Sequence, residues 1–282
     1  MSVNNNHHAA GELDKIIRSA ATVVRTFTKA RPTIGIILGT GLGKLASRAR
    51  KKVVIPYHEI PHFPRTTVED HAGELVIGEI AGKTVAMLSG RFHYYEGYSM
   101  QQITLPVRVL KAIGIKTLIV SAAAGDMNPQ HRAGDIIVIE DHINLMGDNP
   151  LIGPNDDKLG PRYPDMSAPY DAKLIDMALN AALKRNVRCH SGVYVGVAGP
   201  NLETRAEYRF LRAIGADVVG MSVVPEVTVA VHAGLRVLGF AVATDMCLPD
   251  ALKPANIEAI IKVANTAEPK LSRLVEDVIR TM

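Results

Sequence analysis

The feature that most constrains this chain is a series of short aliphatic runs, each ending abruptly at small residues. Ile34–Leu38 stops at Gly39, and the run at 117–121 passes into Ala122-Ala123-Ala124-Gly125. The run at 193–197 ends in Ala198-Gly199-Pro200, that at 218–221 meets Ser222, and that at 237–243 meets Thr244-Asp245. Residues 136–139 form one more. None alternates apolar with polar, so each reads as a strand buried on both faces. Helical periodicity fills the intervals at 12–28, 101–113, 172–186, 204–214 and 225–233. A last helix starts near Pro254, and Pro269 is expected to kink it or end its first half. Residues 74–80 and 84–88 flank Ala81-Gly82-Lys83 and read as a hairpin. Strands alternating with helices imply an α/β fold, a layered single domain with helices flanking a central sheet. In such folds ligands bind beyond the carboxyl ends of the strands, so the small-residue segments named above are expected to converge on one small-molecule site.

Composition narrows the class. Apolar residues make up 47% and charged residues 21% of the 282, which is globular rather than disordered. Aromatics are 5% and Trp is absent, so the core must be aliphatic. No linker or repeat divides residues 11–282, which read as one domain. Residues 1–10, polar and rich in Asn and His, are expected to be disordered. Lys and Arg exceed Asp and Glu by four, the densest basic run is 48–52, and no aromatics interleave with it. A nucleic-acid partner is not expected on that pattern. No apolar run reaches the roughly 18–20 residues of a membrane span, and the N-terminus lacks the apolar stretch of a secretory leader. Cys189 and Cys247 are too few for a disulfide framework or a cysteine zinc site. They read as reduced thiols of a cytoplasmic protein.

Four segments carry chemistry. Gly39-Thr40-Gly41-Leu42-Gly43 fits neither nucleotide-loop spacing, because Lys44 falls where the dinucleotide fingerprint needs glycine and only three residues separate Gly39 from Gly43-Lys44. Its backbone N–H groups and the Thr40 hydroxyl suit an anion, although a plain turn reads equally well. Gly90 to Tyr98 supplies Arg91, His93, Glu96 and three tyrosines directly after a strand. Arg91 offers a planar fork to phosphate, and the alternation of Arg91 with His93 points both at one site. Glu203 follows Ala198-Gly199-Pro200 and is either a site acid or an exposed acid at a helix start. Ser222 is either a helix cap or an anion ligand at that helix terminus, and Asp245 reads as a site acid or a simple cap.

Taken in order, these segments resemble the trimeric purine nucleoside phosphorylases, relatives of the methylthioadenosine phosphorylases. The resemblance is carried by Gly39 to Gly43, His71-Ala72-Gly73, Gly90 to Tyr98, Ala122 to Gly125 and Asp141-His142-Ile143-Asn144. It continues through Gly153-Pro154-Asn155-Asp156, Ala198-Gly199-Pro200 with Glu203-Thr204, and Gly220-Met221-Ser222 with Val224-Pro225-Glu226. It implies a central mixed β-sheet, a homotrimer, and reversible phosphorolysis of purine nucleosides to free base and pentose 1-phosphate. Inorganic phosphate would be a co-substrate, and no cofactor or metal is implied. Thr40, Arg91, His93, Ser222 and the Ala123 backbone match phosphate ligands, with His71 nearby. Tyr95, Tyr194 and Met221 match the ribose wall, and Ile257 aligns with the position facing the 5′ group. Glu203 and Asp245 match base-reading positions with Leu202 packing on the base, and Tyr163 matches an aromatic lent by a neighbouring subunit. Asp245, Glu203 and His93 are the catalytic candidates.

At the base the resemblance divides. Inosine- and guanosine-preferring members carry Asn where this chain has Asp245, and Asp is the mark of the methylthioadenosine branch. An apolar Ile257 replaces a histidine that faces the 5′-hydroxyl. Glu203 and the Arg91 to Gly97 segment are of the inosine and guanosine type. The sequence therefore points to a purine nucleoside phosphorylase open to adenine nucleosides. The rivals are a 5′-methylthioadenosine phosphorylase and a non-catalytic nucleotide-binding α/β protein.

Overall fold

A computed structural model describes residues 11–39, 42–65 and 72–282. Thr40, His71 and the expected disorder of residues 1–10 lie outside the described residues. The chain opens with α1 (Glu12–Phe27), β1 (Ile34–Leu38), β2 (Arg50–Pro56), β3 (Glu74–Ile80) and β4 (Lys83–Ser89). α2 (Met100–Ile113), β5 (Thr117–Asp126), β6 (Ile136–Leu145), α3 (Ala172–Lys184) and β7 (Cys189–Val197) follow. It ends with α4 (Arg205–Ala213), β8 (Val218–Gly220), α5 (Val224–His232), β9 (Arg236–Met246) and α6 (Ile257–Thr281).

The nine strands among the described residues join one mixed sheet in the order β2-β3-β4-β1-β5-β8-β7-β6-β9. β5 also pairs in parallel with β9, so β5, β8, β7, β6 and β9 close into a ring. Alternate residues of the central strands face opposite layers, which is why the strands read as aliphatic throughout. On β5, Leu118 and Val120 pack with residues of α1, α2 and α5, while Ile119 packs with α6. On β9, Val237 and Ala241 take the first side, and Leu238, Phe240 and Val242 the second.

Three expectations need correcting. β2 was not anticipated: it opens with Arg50-Lys51-Lys52, and as an edge strand paired only with β3 it exposes that basic end. Charged residues there guard an unpaired edge, but they hide the strand from a hydrophobic pattern. Ala122 to Gly125 and Thr244-Asp245 are not loops beyond strand ends; β5 and β9 continue through them, pairing with each other. Pro269 does not end α6. It sits on the exposed side of the helix, where the Asn265 carbonyl that loses its N–H partner faces water. Ala264, Ala267, Leu271, Leu274 and Val278 hold the helix to the sheet on both sides of it. Among the described residues no helix is long and apolar enough to cross a membrane.

Under the α2–α5 contact, buried Arg108 lies 3.4 Å from His232 Nδ1, and His232 Nε2 lies 3.4 Å from Asn155 Oδ1. Arg108 can only donate, so His232 accepts at Nδ1 and donates from Nε2, the neutral tautomer. Burial and the Arg108 charge push His232 down to about 4, against an ordinary value of 6.5. Between those values the unfolded chain takes up a proton that the folded chain refuses. Stability attributable to this histidine is therefore intact above pH 6.5 and lost as pH falls toward 4. Urea unfolding of His232→Gln should lose less stability than the parent between those pH values; equal losses would contradict this account.

Candidate active site

A cavity of about 280 Å³ opens where β5 and β9 end side by side. Arg91, His93 and Tyr95 enter it from the segment after β4, and Ala123 from β5. Leu202, Glu203 and Tyr208 enter around the start of α4, Met221 and Ser222 from the β8–α5 junction, Asp245 from β9, and Ile257 from the first turn of α6. A larger cavity of about 730 Å³ lies at the amino-terminal ends of β6 and β7, with six Arg and Lys among its fourteen lining residues. None of the expected site residues lines it, so the lining decides the site and volume does not.

One end of the smaller cavity holds Arg91 and Ser222 in a fixed arrangement. Arg91 is buried and forms a two-pronged ion pair with Glu226, Nε to Oε1 and Nη2 to Oε2 both at 3.0 Å. Its Nη1 donates to Ser222 Oγ at 2.9 Å. Such bidentate pairing fixes the plane of the guanidinium as well as its position. Burial pushes the Glu226 carboxyl above its ordinary range, against the pull of the Arg91 charge. Ser222 is placed by backbone strain. Val223 has φ 63° and ψ −59°, and the Val224 N–H bonds to the Ser222 carbonyl at 2.7 Å, a γ-turn with positive φ. A β-branched residue rarely accepts that conformation, and strain of this kind concentrates at functional sites. The turn leaves Ser222 at the positive end of the α5 dipole. His93 is held in turn by Glu96, whose Oε1 accepts from the His93 backbone N–H at 2.7 Å and lies 3.2 Å from Nδ1. The ring stacks on Tyr95 with centroids 4.7 Å apart.

Two glycines leave room for this arrangement. A Cβ on Gly39 would lie 3.0 Å from Arg91 Nη1 and 2.2 Å from the Ser121 carbonyl. A Cβ on Gly220 would lie 2.2 Å from Tyr194 Oη. The second contact corrects one expectation: Tyr194 stands behind the cavity wall, fully buried, and does not line it. Its hydroxyl lies 3.4 Å from the Ser222 backbone N–H, and burial pushes its pKa up to about 12, so it stays a neutral buttress.

The other end carries two carboxyls. Thr204 caps α4 with a reciprocal box to Glu207, which fixes Glu203 just outside the helix. Burial, aided by the charges of Glu207 and Asp245, pushes the Glu203 carboxyl upward against a hydrogen bond from Tyr208. Asp245 owes its aim to a bulge. Ala124 pairs with Ala243 but Gly125 pairs with Asp245, so Thr244 is the extra residue. The Thr244 hydroxyl lies 3.0 Å from Asp245 Oδ1 and 3.1 Å from the Ala124 carbonyl. The Cys247 thiol donates to Asp245 Oδ2 at 3.1 Å. Among the described residues no group of His, Cys, Asp or Glu is arranged to hold a metal ion.

An anion pocket and a pair of acids in one cavity suit transfer of a glycosyl group between a base and an oxyanion, and the comparisons agree. The family model of the phosphorylase superfamily matches residues 33–280. The chain belongs to the phosphorylase superfamily. Among superfamily members it is 47% identical over 266 residues to purine nucleoside phosphorylase 1 of Bacillus subtilis (strain 168), covering 94% of this chain and 98% of that one. It is similar to the Schistosoma mansoni purine nucleoside phosphorylase solved with adenosine, at 38% identity and TM-score 0.91, covering 97% of this chain and 99% of that one. A Schistosoma mansoni purine nucleoside phosphorylase solved with inosine matches at 38% identity and TM-score 0.91, covering 95% of this chain and 96% of that one. The mixed α/β architecture expected from the sequence is the one these superfamily structures share.

The structure thus brings Arg91, His93, Tyr95, Ala123, Leu202, Glu203, Met221, Ser222, Asp245 and Ile257 around one cavity. Tyr163 is elsewhere, 87% exposed. Glu226 and Tyr208 were not singled out as site residues. Glu226 had a readable signal: it is the only acid of the helix Val-Pro-Glu-Val-Thr-Val-Ala-Val-His, and a carboxylate on so apolar a helix needs a cation.

Proposed function

We infer that this chain is a purine nucleoside phosphorylase, cleaving purine nucleosides with phosphate to free base and pentose 1-phosphate. The observation that carries the reading is the Arg91–Glu226–Ser222 anion pocket in one cavity with Glu203 and Asp245. Glycosidic cleavage builds positive charge on the sugar and negative charge on the departing base. A phosphate beside Arg91, Ser222, His93 and the Ala123 backbone stabilises the sugar cation and then captures it, so catalysis is largely positioning and electrostatics. Tyr95 and Met221 wall the sugar, and Leu202 covers the base. In this reading the two acids supply the hydrogen bonds that the leaving base needs, with Asp245 as the proton donor to N7.

Substrate preference is set by the mixed pair of acids. An ionised Asp245 accepts from a 6-amino group and repels a 6-oxo group, whereas an ionised Glu203 accepts from the N1–H of a 6-oxopurine. The relative solved with adenosine and with inosine supports a pocket that takes both. Ile257, 58% exposed and on the cavity wall, favours an apolar 5′ group, and with Asp245 it supports 5′-methylthioadenosine as a second substrate. With saturating phosphate, inosine, guanosine, adenosine and methylthioadenosine are to be compared. Asp245→Asn should raise the inosine-to-adenosine ratio of kcat/KM by about tenfold or more, since a mispaired buried polar group costs roughly 1–3 kcal/mol. An unchanged ratio would remove Asp245 from base reading, and failure of the parent on all four nucleosides would overturn the activity.

We further propose a homotrimer in the cytoplasm in which Tyr163 reaches a neighbour's site. The support is the resemblance together with the exposure of a tyrosine touched, in its own chain, by the Arg162 guanidinium 5.8 Å from the ring centre. Sedimentation should give a trimer, with Tyr163→Ala raising the nucleoside KM; a fully active monomer would refute it.

A further inference from the structure

Arg108 of α2 is 7% exposed, yet among the described residues no carboxylate pairs with it. A guanidinium carries five N–H donors and stays charged at neutral pH. Its hydrogen bond goes to His232 Nδ1 at 3.4 Å, and that imidazole, neutral and engaged with Asn155 through Nε2, balances no charge. Burial pushes Arg108 down to about 10, with no acid acting against it. A buried cation without a counter-charge is among the costliest groups a fold can hold. Among the described residues no wholly buried side-chain nitrogen lacks a hydrogen-bond partner, so the Arg108 nitrogens that have none reach open space.

That space is a cavity of about 520 Å³ walled mainly by α1 and α2. Five cations line it: Arg108 and Lys111 one turn apart on α2, Arg18 and Arg25 two turns apart on α1, and Lys158. Its one acid, Asp14, is held by Arg18 at 2.8 Å. Arg25 donates to the Ala112 carbonyl at 2.6 Å, while Lys111 and Lys158 make no ion pair among the described residues. Arg108 is buried and the other four cations are exposed. Ile17, Ala21 and Leu159 supply an apolar wall. A second space beside Arg108, shared with His232, is about 40 Å³ and of water size. The larger cavity shares no lining residue with the catalytic one.

We propose that this cavity binds a phosphate monoester, its phosphoryl dianion on the Arg108 guanidinium and its organic body along Ile17, Ala21 and Leu159. Phosphoryl oxygens take the planar fork of an arginine in pairs, and a dianion has acceptors left over for Lys111 and Lys158. A chloride or a carboxylate would neutralise less of a lining that carries five positive charges against one negative. The volume exceeds what inorganic phosphate fills and lies in the range of small organic ligands. The site is separate from the phosphorylase reading: Ala233, on its wall, caps the end of α5 remote from Ser222, and either assignment can fail without the other.

Lysine acetylation read by mass spectrometry tests the site without turnover. In the parent, ribose 5-phosphate should slow labelling of Lys111 and Lys158 by roughly tenfold, the factor reached at about ten times Kd. Labelling of Lys83, exposed at the start of β4 and on no cavity wall, should not change. Inorganic phosphate at the same concentration should protect less, because it lacks the body that covers the apolar wall. Arg108→Met, uncharged and of similar reach, should abolish the protection, and Arg108→Lys, which keeps the charge without the fork, should restore part of it. Thr22 is exposed on the cavity wall, so Thr22→Glu should fold even if Arg108→Met does not. Its carboxylate supplies the missing counter-charge from within the chain and should likewise abolish protection. No protection in the parent, equal protection by inorganic phosphate, equal slowing at Lys83, or protection unchanged in Thr22→Glu would overturn the proposal.

Discussion

The ion pair between Arg91 and Glu226 is the constraint around which the rest of the cavity is arranged. Both groups are almost wholly buried. Removing one partner of such a pair costs roughly 3–5 kcal/mol, while an apolar replacement of both is often neutral. The pair is therefore hard to justify by stability alone, and its use is geometric. It sets the guanidinium plane, and through Nη1 it sets Ser222. Ser222 is held from three further directions: by the strained turn at Val223, by the start of α5, and by the buried Tyr194 behind it. In the proposed reading these groups receive phosphate without rearrangement, which is the condition under which electrostatic catalysis is strongest.

The sheet carries the other half of the site. β5 and β9 run in parallel for ten paired positions, and a single extra residue at Thr244 turns Asp245 to face Gly125. Small residues at Gly39, Gly125 and Gly220 are then spatial requirements. At each of them a Cβ would meet a carbonyl, a thiol or a tyrosine hydroxyl at under 3 Å. Arg91 follows β4, Ser222 follows β8 and Asp245 lies near the end of β9, so the sheet determines their separation.

Much of this was legible in the sequence because it is carried by local pattern. The aliphatic runs gave strands, and the small-residue segments at 122–125, 220–222 and 244–245 line one cavity. What was not legible depends on pairing across the sheet. Ala122 to Gly125 read as a loop because alanine and glycine carry no strand signal, and only β9 alongside makes them a strand. Tyr194 sits on a strand near the site, yet which way it faces depends on Gly220 of the neighbouring strand. Glu226 and Arg91 are 135 residues apart, and Tyr208 and Cys247 join one buried cluster only in the folded chain. Such contacts leave at most a hint, such as the lone acid on α5.

The account stands most directly on phosphate being consumed. Phosphorus-31 NMR of the parent enzyme with a purine nucleoside, in buffer with and without inorganic phosphate, measures this. Free base should appear only with phosphate present, matched mole for mole by pentose 1-phosphate. Release of base and free pentose at an unchanged rate in phosphate-free buffer would contradict the account.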